Sequence, residues 1–235
     1  ENKEKLIKYI KEGKFIIGPW YILQDEFYTS GEANIRNLLV GMKEAEKYGA
    51  MCKMGYFPDA FGNAGQMPQI LKQAGMDTVT FGRGVRPVGF DNEIQENGNY
   101  ESPYSEMMWE SPDGTKIFGI LFANWYNNGN EDKKSAKEYW DDRLKKVATF
   151  ASTDEYLLMN GCDHQPVQAD LGKAIEVASE LYPDINFKHS NFPDYIKAIK
   201  EKVPNDLAVV KGELTSQDTD GWSTLINCAS SHIYL

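Results

Sequence analysis

Three polar side chains stand directly behind apolar runs that read as strands. Asp59 follows Met54-Gly55-Tyr56-Phe57, Arg83 follows Thr78-Val79-Thr80-Phe81, and Asp163 follows Tyr156-Leu157-Leu158-Met159-Asn160. On a parallel α/β scaffold such strand ends point the same way, so the three side chains can converge although they lie far apart in the chain. Two carboxylates flanking a bond, one as nucleophile and one as proton donor, are the equipment of glycoside hydrolysis. A neighbouring arginine would hold one of them ionised. Simpler readings use the same residues: an Asp at a strand-to-loop junction also serves as a helix N-cap or turn former, and Arg83 could equally make a surface ion pair.

The elements that would position these groups follow from periodicity. Residues 1–14 place Leu6, Ile7 and Ile10 on one helical face before Gly13, and residues 15–22 form an apolar run that reads as a buried strand. Thr29 and Glu32 have capping-box spacing ahead of a stripe made of Ile35, Leu38, Leu39, Met42 and Ala45, closed by Gly49. Strand 54–57 is followed by a helix with Pro68 in its first turn and Gly75 at its end, then by strand 78–81. Residues 107–110 and 117–122 flank Ser111-Pro112-Asp113-Gly114, a hairpin turn inside a pattern that is otherwise parallel. A charged helix over 135–150 precedes strand 156–160. Helices near 168–181 and 193–202 bracket a short strand at Phe187, and 207–210 supplies the last strand. Repeated βα units call for a parallel sheet covered by helices, with seven candidate core strands in one domain. The irregular stretch 87–103 is either a loop over the site or an ordinary solvated connection.

Composition narrows the partners. The 235 residues carry 25 basic and 35 acidic side chains, a net charge of -10, with 41% hydrophobic and 12% aromatic content. That balance is too apolar for a disordered chain and too acidic for a nucleic-acid surface, which needs clustered cations. No apolar run approaches the ~20 residues of a membrane span, so no membrane partner is expected. A neutral or cationic small substrate fits. Cys52, Cys162 and Cys228 are odd in number and widely spaced, as reduced thiols in a cytoplasmic protein would be. With no initiating Met and a terminus in mid-pattern, the expectation is a piece of a longer protein.

The run Gly55-Tyr56-Phe57-Pro58-Asp59-Ala60-Phe61-Gly62-Asn63-Ala64-Gly65-Gln66-Met67-Pro68-Gln69-Ile70-Leu71 resembles the signature of the glycoside hydrolase family 38 α-mannosidases. There an Asp-x-Phe-Gly element follows a strand, and a Met-Pro or Leu-Pro pair opens the next helix. Gly18-Pro19-Trp20-Tyr21 with Asp25-Glu26, Ser30-Gly31-Glu32 with Arg36-Asn37-Leu38-Leu39, and Phe81-Gly82-Arg83-Gly84 are similar to the family's pattern as well. Phe57-Pro58-Asp59 and Gln66-Met67-Pro68-Gln69 look most like the bacterial members.

The resemblance implies an irregular seven-stranded, barrel-like parallel (β/α) sheet with flanking helices, incomplete at its N-terminal end. Residues 1–235 would be the central part of the catalytic domain, without its first strands and without the downstream helical and β domains. It also implies that Asp59 is both nucleophile and zinc ligand, that Phe61 lies against the sugar, and that Arg83 contacts the nucleophile. Asn160-Gly161-Cys162-Asp163 stands where the family has Gly-Asp-Asp, so Asp163 becomes the acid/base and Cys162 replaces its neighbour. Trp125 and Tyr126 could stack on sugar or belong to the core, and His164 could touch substrate or simply form a turn.

The activity implied is cleavage of terminal α-mannosides with retention, through a covalent mannosyl-Asp and with zinc assistance, by the full-length protein. An α-mannoside oligosaccharide is the partner, and the full-length protein could be a homo-oligomer. The family's zinc ligands include a His-x-Asp element and a later His-Asp element. The histidines of this chain, His164, His189 and His232, stand in neither setting. The isolated chain is therefore expected to be inactive and to bind zinc poorly. Two competing readings are a metal-dependent carbohydrate deacetylase, although no His-x-x-x-His pair is present, and a non-catalytic carbohydrate-binding barrel.

Overall fold

Among the described residues eleven elements follow one another: α1 (Asn2–Lys11), α2 (Gly31–Glu46), β1 (Gly55–Phe57), α3 (Met67–Gln73), β2 (Thr78–Phe81), β3 (Glu106–Glu110), β4 (Lys116–Leu121), α4 (Ala136–Phe150), α5 (Leu171–Leu181), α6 (Phe192–Lys200) and β5 (Val209–Lys211). They come from a computed structural model that describes residues 2–49, 51–85, 101–129, 136–216 and 226. The expected loop over residues 87–103 lies largely outside these, as do Cys228 and His232.

The strands form one five-stranded sheet in the order β1-β2-β4-β3-β5. β1, β2 and β4 are parallel neighbours, β3 runs antiparallel to β4, and β5 is parallel to β3. The antiparallel step is the hairpin expected at 111–114. Asp113 builds that turn by accepting from the Thr115 amide and hydroxyl at 3.0 and 2.8 Å.

β4 explains why its sequence is an unbroken apolar run, because the strand is covered on both faces. Ile117 and Leu121 join a core with Phe57, Val79, Phe81, Trp109, Leu38 of α2, and Met67 and Leu71 of α3. Phe118 and Ile120 point the other way, onto Ile199, Tyr195 and Ile196 of α6.

Five strands stand among the described residues where seven core strands and a short one at Phe187 were expected, and their sheet is open rather than closed. Residues 15–22 form no strand. Pro19 offers no N–H, Tyr21 N–H turns to the Asn37 carbonyl at 3.3 Å, and Ile22 is held on both sides by the Asn37 amide. The backbone groups of residues 21 and 22 are thus taken by α2, while Phe15 N–H bonds the Tyr9 carbonyl and Ile17 O accepts from Cys52 N–H, so no ladder forms. Residues 156–160 also have no strand neighbour. The Asn128 side chain does that work, donating to Leu157 O at 3.0 Å and accepting from Met159 N–H at 2.6 Å, while Gly129 N–H meets Met159 O at 2.7 Å. Phe187 is likewise no strand residue: it packs on Trp140 and Tyr182, with ring centroids 5.0 and 6.3 Å away.

Two helix readings change as well. Ser30, not Thr29, caps α2, its hydroxyl accepting from Ala33 N–H, and Thr29 bonds Asn34 instead. The buried face of α2 is Asn34, Leu38, Gly41 and Ala45, whereas Ile35 and Leu39 are exposed. Gly41 causes the rotation. A Cβ there would lie 2.2 Å from the Pro19 carbonyl, so the helix turns its bare backbone toward residues 19–21.

Candidate active site

The parallel strands β1, β2 and β4 deliver Asp59, Arg83 and Trp125 to the same end of the sheet. The chain leaves β1 through Pro58-Asp59 and leaves β2 through Gly82-Arg83, and Gly82 N–H bonds the Phe57 carbonyl at 3.0 Å. Only glycine fits here. A Cβ on residue 82 would sit 2.1 Å from the Pro58 carbonyl, so a larger residue would push the two strand ends apart.

That close approach lets Arg83 grip Asp59. Nε and Nη2 both donate to Asp59 Oδ1, at 2.6 and 2.5 Å. Among the described residues no hydrogen bond reaches the other oxygen, Oδ2. The arginine side chain is 3% exposed and the aspartate 36%. Aromatic faces cover the guanidinium, whose carbon is 5.2 Å from the Phe61 ring centroid and 4.9 Å from that of Trp125. Cation–π attraction in so dry a setting is worth ~1–2 kcal/mol and keeps the fork in one orientation.

Trp125 reaches that position at a local cost. Asn124 and Trp125 take φ of 58° and 69°, left-handed backbone that costs a non-glycine residue ~1 kcal/mol or more. The bends follow Phe122, whose N–H bonds Phe81 O at 2.9 Å, so the chain must turn sharply to return over Arg83. Tyr126 packs on Trp125 at 4.7 Å, and its hydroxyl donates to Asp163 Oδ2 at 3.4 Å.

Asp163 lies on the segment that Asn128 holds, and Asn160 adds a bond to Gly129 O at 3.3 Å. Cys162 accepts a weak bond from Asn127 Nδ2 at 3.7 Å. His164 is exposed, has φ of 60°, and makes no hydrogen bond among the described residues. The structure therefore brings Asp59, Arg83, Phe61, Trp125, Tyr126 and Asp163 together. His164 is tied in only as the neighbour of Asp163.

Electrostatics links the two carboxylates. Burial raises the pKa of Asp59, Arg83 opposes this, and the negative charges of Asp163 and Asp25 add to the rise. Burial also pushes the Tyr126 hydroxyl up to about 12, with Asp59 and then Asp163 contributing. That tyrosine stays a neutral donor lying in the field of both acids. Tyr56 beneath them is raised by burial and then by Asp163.

Three residues that hold the site together are missed by inspection of strand ends. Asp25 and Glu26, which read as a polar turn, bond the loop that carries Asp59: Asp25 Oδ1 accepts from Phe61 N–H at 2.8 Å and Glu26 Oε2 from Ala64 N–H at 2.5 Å. Asn128 is the third such residue. Nothing in its local sequence distinguishes it from a turn residue.

As a metal centre the described residues offer little. Asp59 is the zinc ligand that the family resemblance implies in this chain, and among the described residues no three His, Cys, Asp or Glu side chains cluster as a metal site would require. Zinc needs about four donors, so one carboxylate is too few to hold it.

Fold and site define a mixed α/β scaffold with a carboxylate and a buried arginine at parallel strand ends and a second carboxylate brought beside them by a segment that is not a strand, paired acids of the kind glycoside hydrolysis calls for. The chain belongs to glycosyl hydrolase family 38: residues 1–223 match the family's N-terminal domain. It is 55% identical over 239 aligned residues, all of this chain and 27% of the relative, to a Halalkalibacterium halodurans protein named "Putative mannosylglycerate hydrolase". It is 30% identical over 123 residues, 50% of this chain and 10% of the relative, to alpha-mannosidase G of Dictyostelium discoideum. The solved structure of an alpha-mannosidase from Enterococcus faecalis V583 superposes with a TM-score of 0.86 at 53% identity, covering 95% of this chain and 25% of that one. The chain thus spans about a quarter of the length of these bacterial relatives. No described helix is long and apolar enough to cross a membrane.

Proposed function

We propose that the full-length protein hydrolyses terminal α-mannosides with retention of configuration. The observation that carries this reading is the convergence of Asp59 and Asp163, with Arg83 holding one oxygen of Asp59 and Tyr126 lying in the field of both acids. Asp59 Oδ2 attacks the anomeric carbon and forms the mannosyl-Asp bond while Asp163 gives its proton to the departing oxygen. Asp163 then takes a proton from water, whose oxygen attacks the same carbon and releases Asp59. Arg83 keeps Asp59 ionised and immobile, and Phe61 and Trp125 supply apolar walls. Because it follows Asp163, His164 borders the leaving-group side.

Zinc assistance is part of this reading only so far as Asp59 would be one ligand, with the others outside the described residues. When bound, the metal would orient and polarise sugar hydroxyls. The same reading gives the protein a cytoplasmic setting, which suits the free thiols of Cys52 and Cys162.

A fluorinated mannosyl reagent that traps the covalent intermediate should label Asp59 in the full-length enzyme, and labelling of a different carboxylate would overturn the assignment. Family membership favours hydrolysis over deacetylation. Loss of turnover in D163N with sugar binding retained separates an enzyme from a carbohydrate-binding barrel. A second substrate reading comes from the name of the 55% identical relative. Mannosylglycerate joins the same α-mannosyl group to an anionic aglycone, so comparing kcat/KM on mannosylglycerate and on neutral α-mannosides decides which aglycone the site prefers.

A further inference from the structure

The turn ahead of α2 is tied down more firmly than a connection requires. Tyr28 N–H bonds Asp25 O at 3.1 Å, Asn34 Nδ2 donates to Glu26 O at 3.2 Å, and the Thr29 hydroxyl locks the Asn34 amide at 2.6 Å. From this platform two consecutive carboxyl groups reach the loop after Asp59 and bond amides three residues apart, those of Phe61 and Ala64. The opposite side of the loop is held too, since Asn63 exchanges both backbone bonds with Leu214 at 3.0 and 2.9 Å.

Glu26 is the unusual member. It is 3% exposed, and among the described residues its Oε1 has no hydrogen-bond partner. Burying a carboxyl group for a single hydrogen bond is unfavourable unless the group is uncharged. Burial does raise its pKa, to about 8, with the Ala64 bond opposing and the charge of Asp25 adding. Burial thus favours its uncharged form, a buried acceptor for one amide of the loop that carries the site.

We infer that Glu26, together with Asp25, is a positioning residue that sets the placement of Asp59 and Phe61 through the loop they share. The inference rests on the reading of Asp59 as nucleophile. Reacting groups must be held to within a fraction of an ångström, and a 1 Å displacement costs ~10²-fold in rate. Freeing the Ala64 end of the loop while Asp25 still holds Phe61 should therefore slow the chemical step more than it weakens sugar binding.

The test measures kcat and KM of the full-length enzyme on p-nitrophenyl α-mannoside for wild type, E26A, E26D, E26Q and D59N. E26A is expected to lower kcat about 10- to 100-fold with KM within about threefold, since the displacement is a fraction of that 1 Å case or equal to it. E26D, a methylene short of Ala64, should show the same split. E26Q keeps an uncharged acceptor of the same length and should return kcat to within about threefold of wild type. I199A, a truncation in the separate core under α6 that lowers thermal stability, should leave kcat per folded molecule unchanged. A kcat for E26A within about twofold of wild type, or an E26Q as slow as E26A, overturns the role of Glu26 while an inactive D59N leaves the nucleophile standing. Turnover retained in D59N overturns the nucleophile reading, and this inference with it.

Discussion

Replacing Arg83 is the most informative perturbation of the site, because one side chain supplies the charge, the fork and the filling between two rings. R83M removes the charge and the fork and keeps most of the filling. Losing one partner of a fully buried ion pair costs ~3–5 kcal/mol, and an exposed pair is worth at most ~1. Arg83 is 3% exposed and Asp59 36%, so the pair lies between these limits, nearer the buried one. A loss of about 2–3 kcal/mol follows, equivalent to ~30- to 150-fold if it falls on transition-state stabilisation. R83K keeps a cation but cannot present two donors to Oδ1, and its ammonium is poorly suited to the slot between Phe61 and Trp125. About 1–2 kcal/mol is expected there. The assay is kcat/KM of the full-length enzyme on p-nitrophenyl α-mannoside, with thermal unfolding of each variant in parallel. The order expected is wild type, R83K, R83M in both readouts. An R83M within threefold of wild type in kcat/KM, with an unchanged midpoint, would refute the claim that this ion pair organises the site.

Two further outcomes test the supports of the site. N128A removes the amide that stands in for a strand beside residues 157–159, so hydrogen exchange at Met159 should accelerate by at least tenfold and kcat should fall, whereas N127A should do neither. Exchange at Met159 unchanged in N128A would show that the segment is held by other means. Glu26 makes stability depend on pH in a defined direction. Its folded pKa of about 8 lies above the unfolded carboxyl value, so the folded state holds the extra proton and stability declines as pH rises from about 4.5 to 8, then levels. At ~1.4 kcal/mol per unit the effect amounts to a few kcal/mol. E26Q cancels that slope, so its thermal midpoint relative to wild type should be higher at pH 9 than at pH 5; an offset that does not vary with pH would count against a neutral Glu26.

Much of the site was legible because it rests on local chemistry. The stretch from β1 through α3 to β2 folds as its pattern predicts, with Pro68 in the first turn of the helix and Gly75 closing it at φ of 79°. Asp59 and Arg83 stand at strand ends that really are parallel neighbours. Harder to see was which apolar runs would find a partner. Residues 15–22 and 156–160 have strand composition, yet their amides and carbonyls are claimed by Asn37 and Asn128, side chains 15 to 31 positions away. Periodicity carries no record of that competition.

The left-handed backbone at Trp125 was equally hidden. An indole does not favour that conformation, and here it lies over the Arg83 guanidinium. Membership of the family was legible in the chain's local patterns, because carboxylates, an arginine and punctuating Gly and Pro at fixed spacing have meaning within a few residues of themselves. Which oxygen of Asp59 is occupied, the burial that raises the Glu26 pKa, and the replacement of a strand by Asn128 came from tertiary packing. Those outcomes depend on burial and on hydrogen-bond partners brought from elsewhere in the chain, and such quantities exist only once distant segments pack against one another.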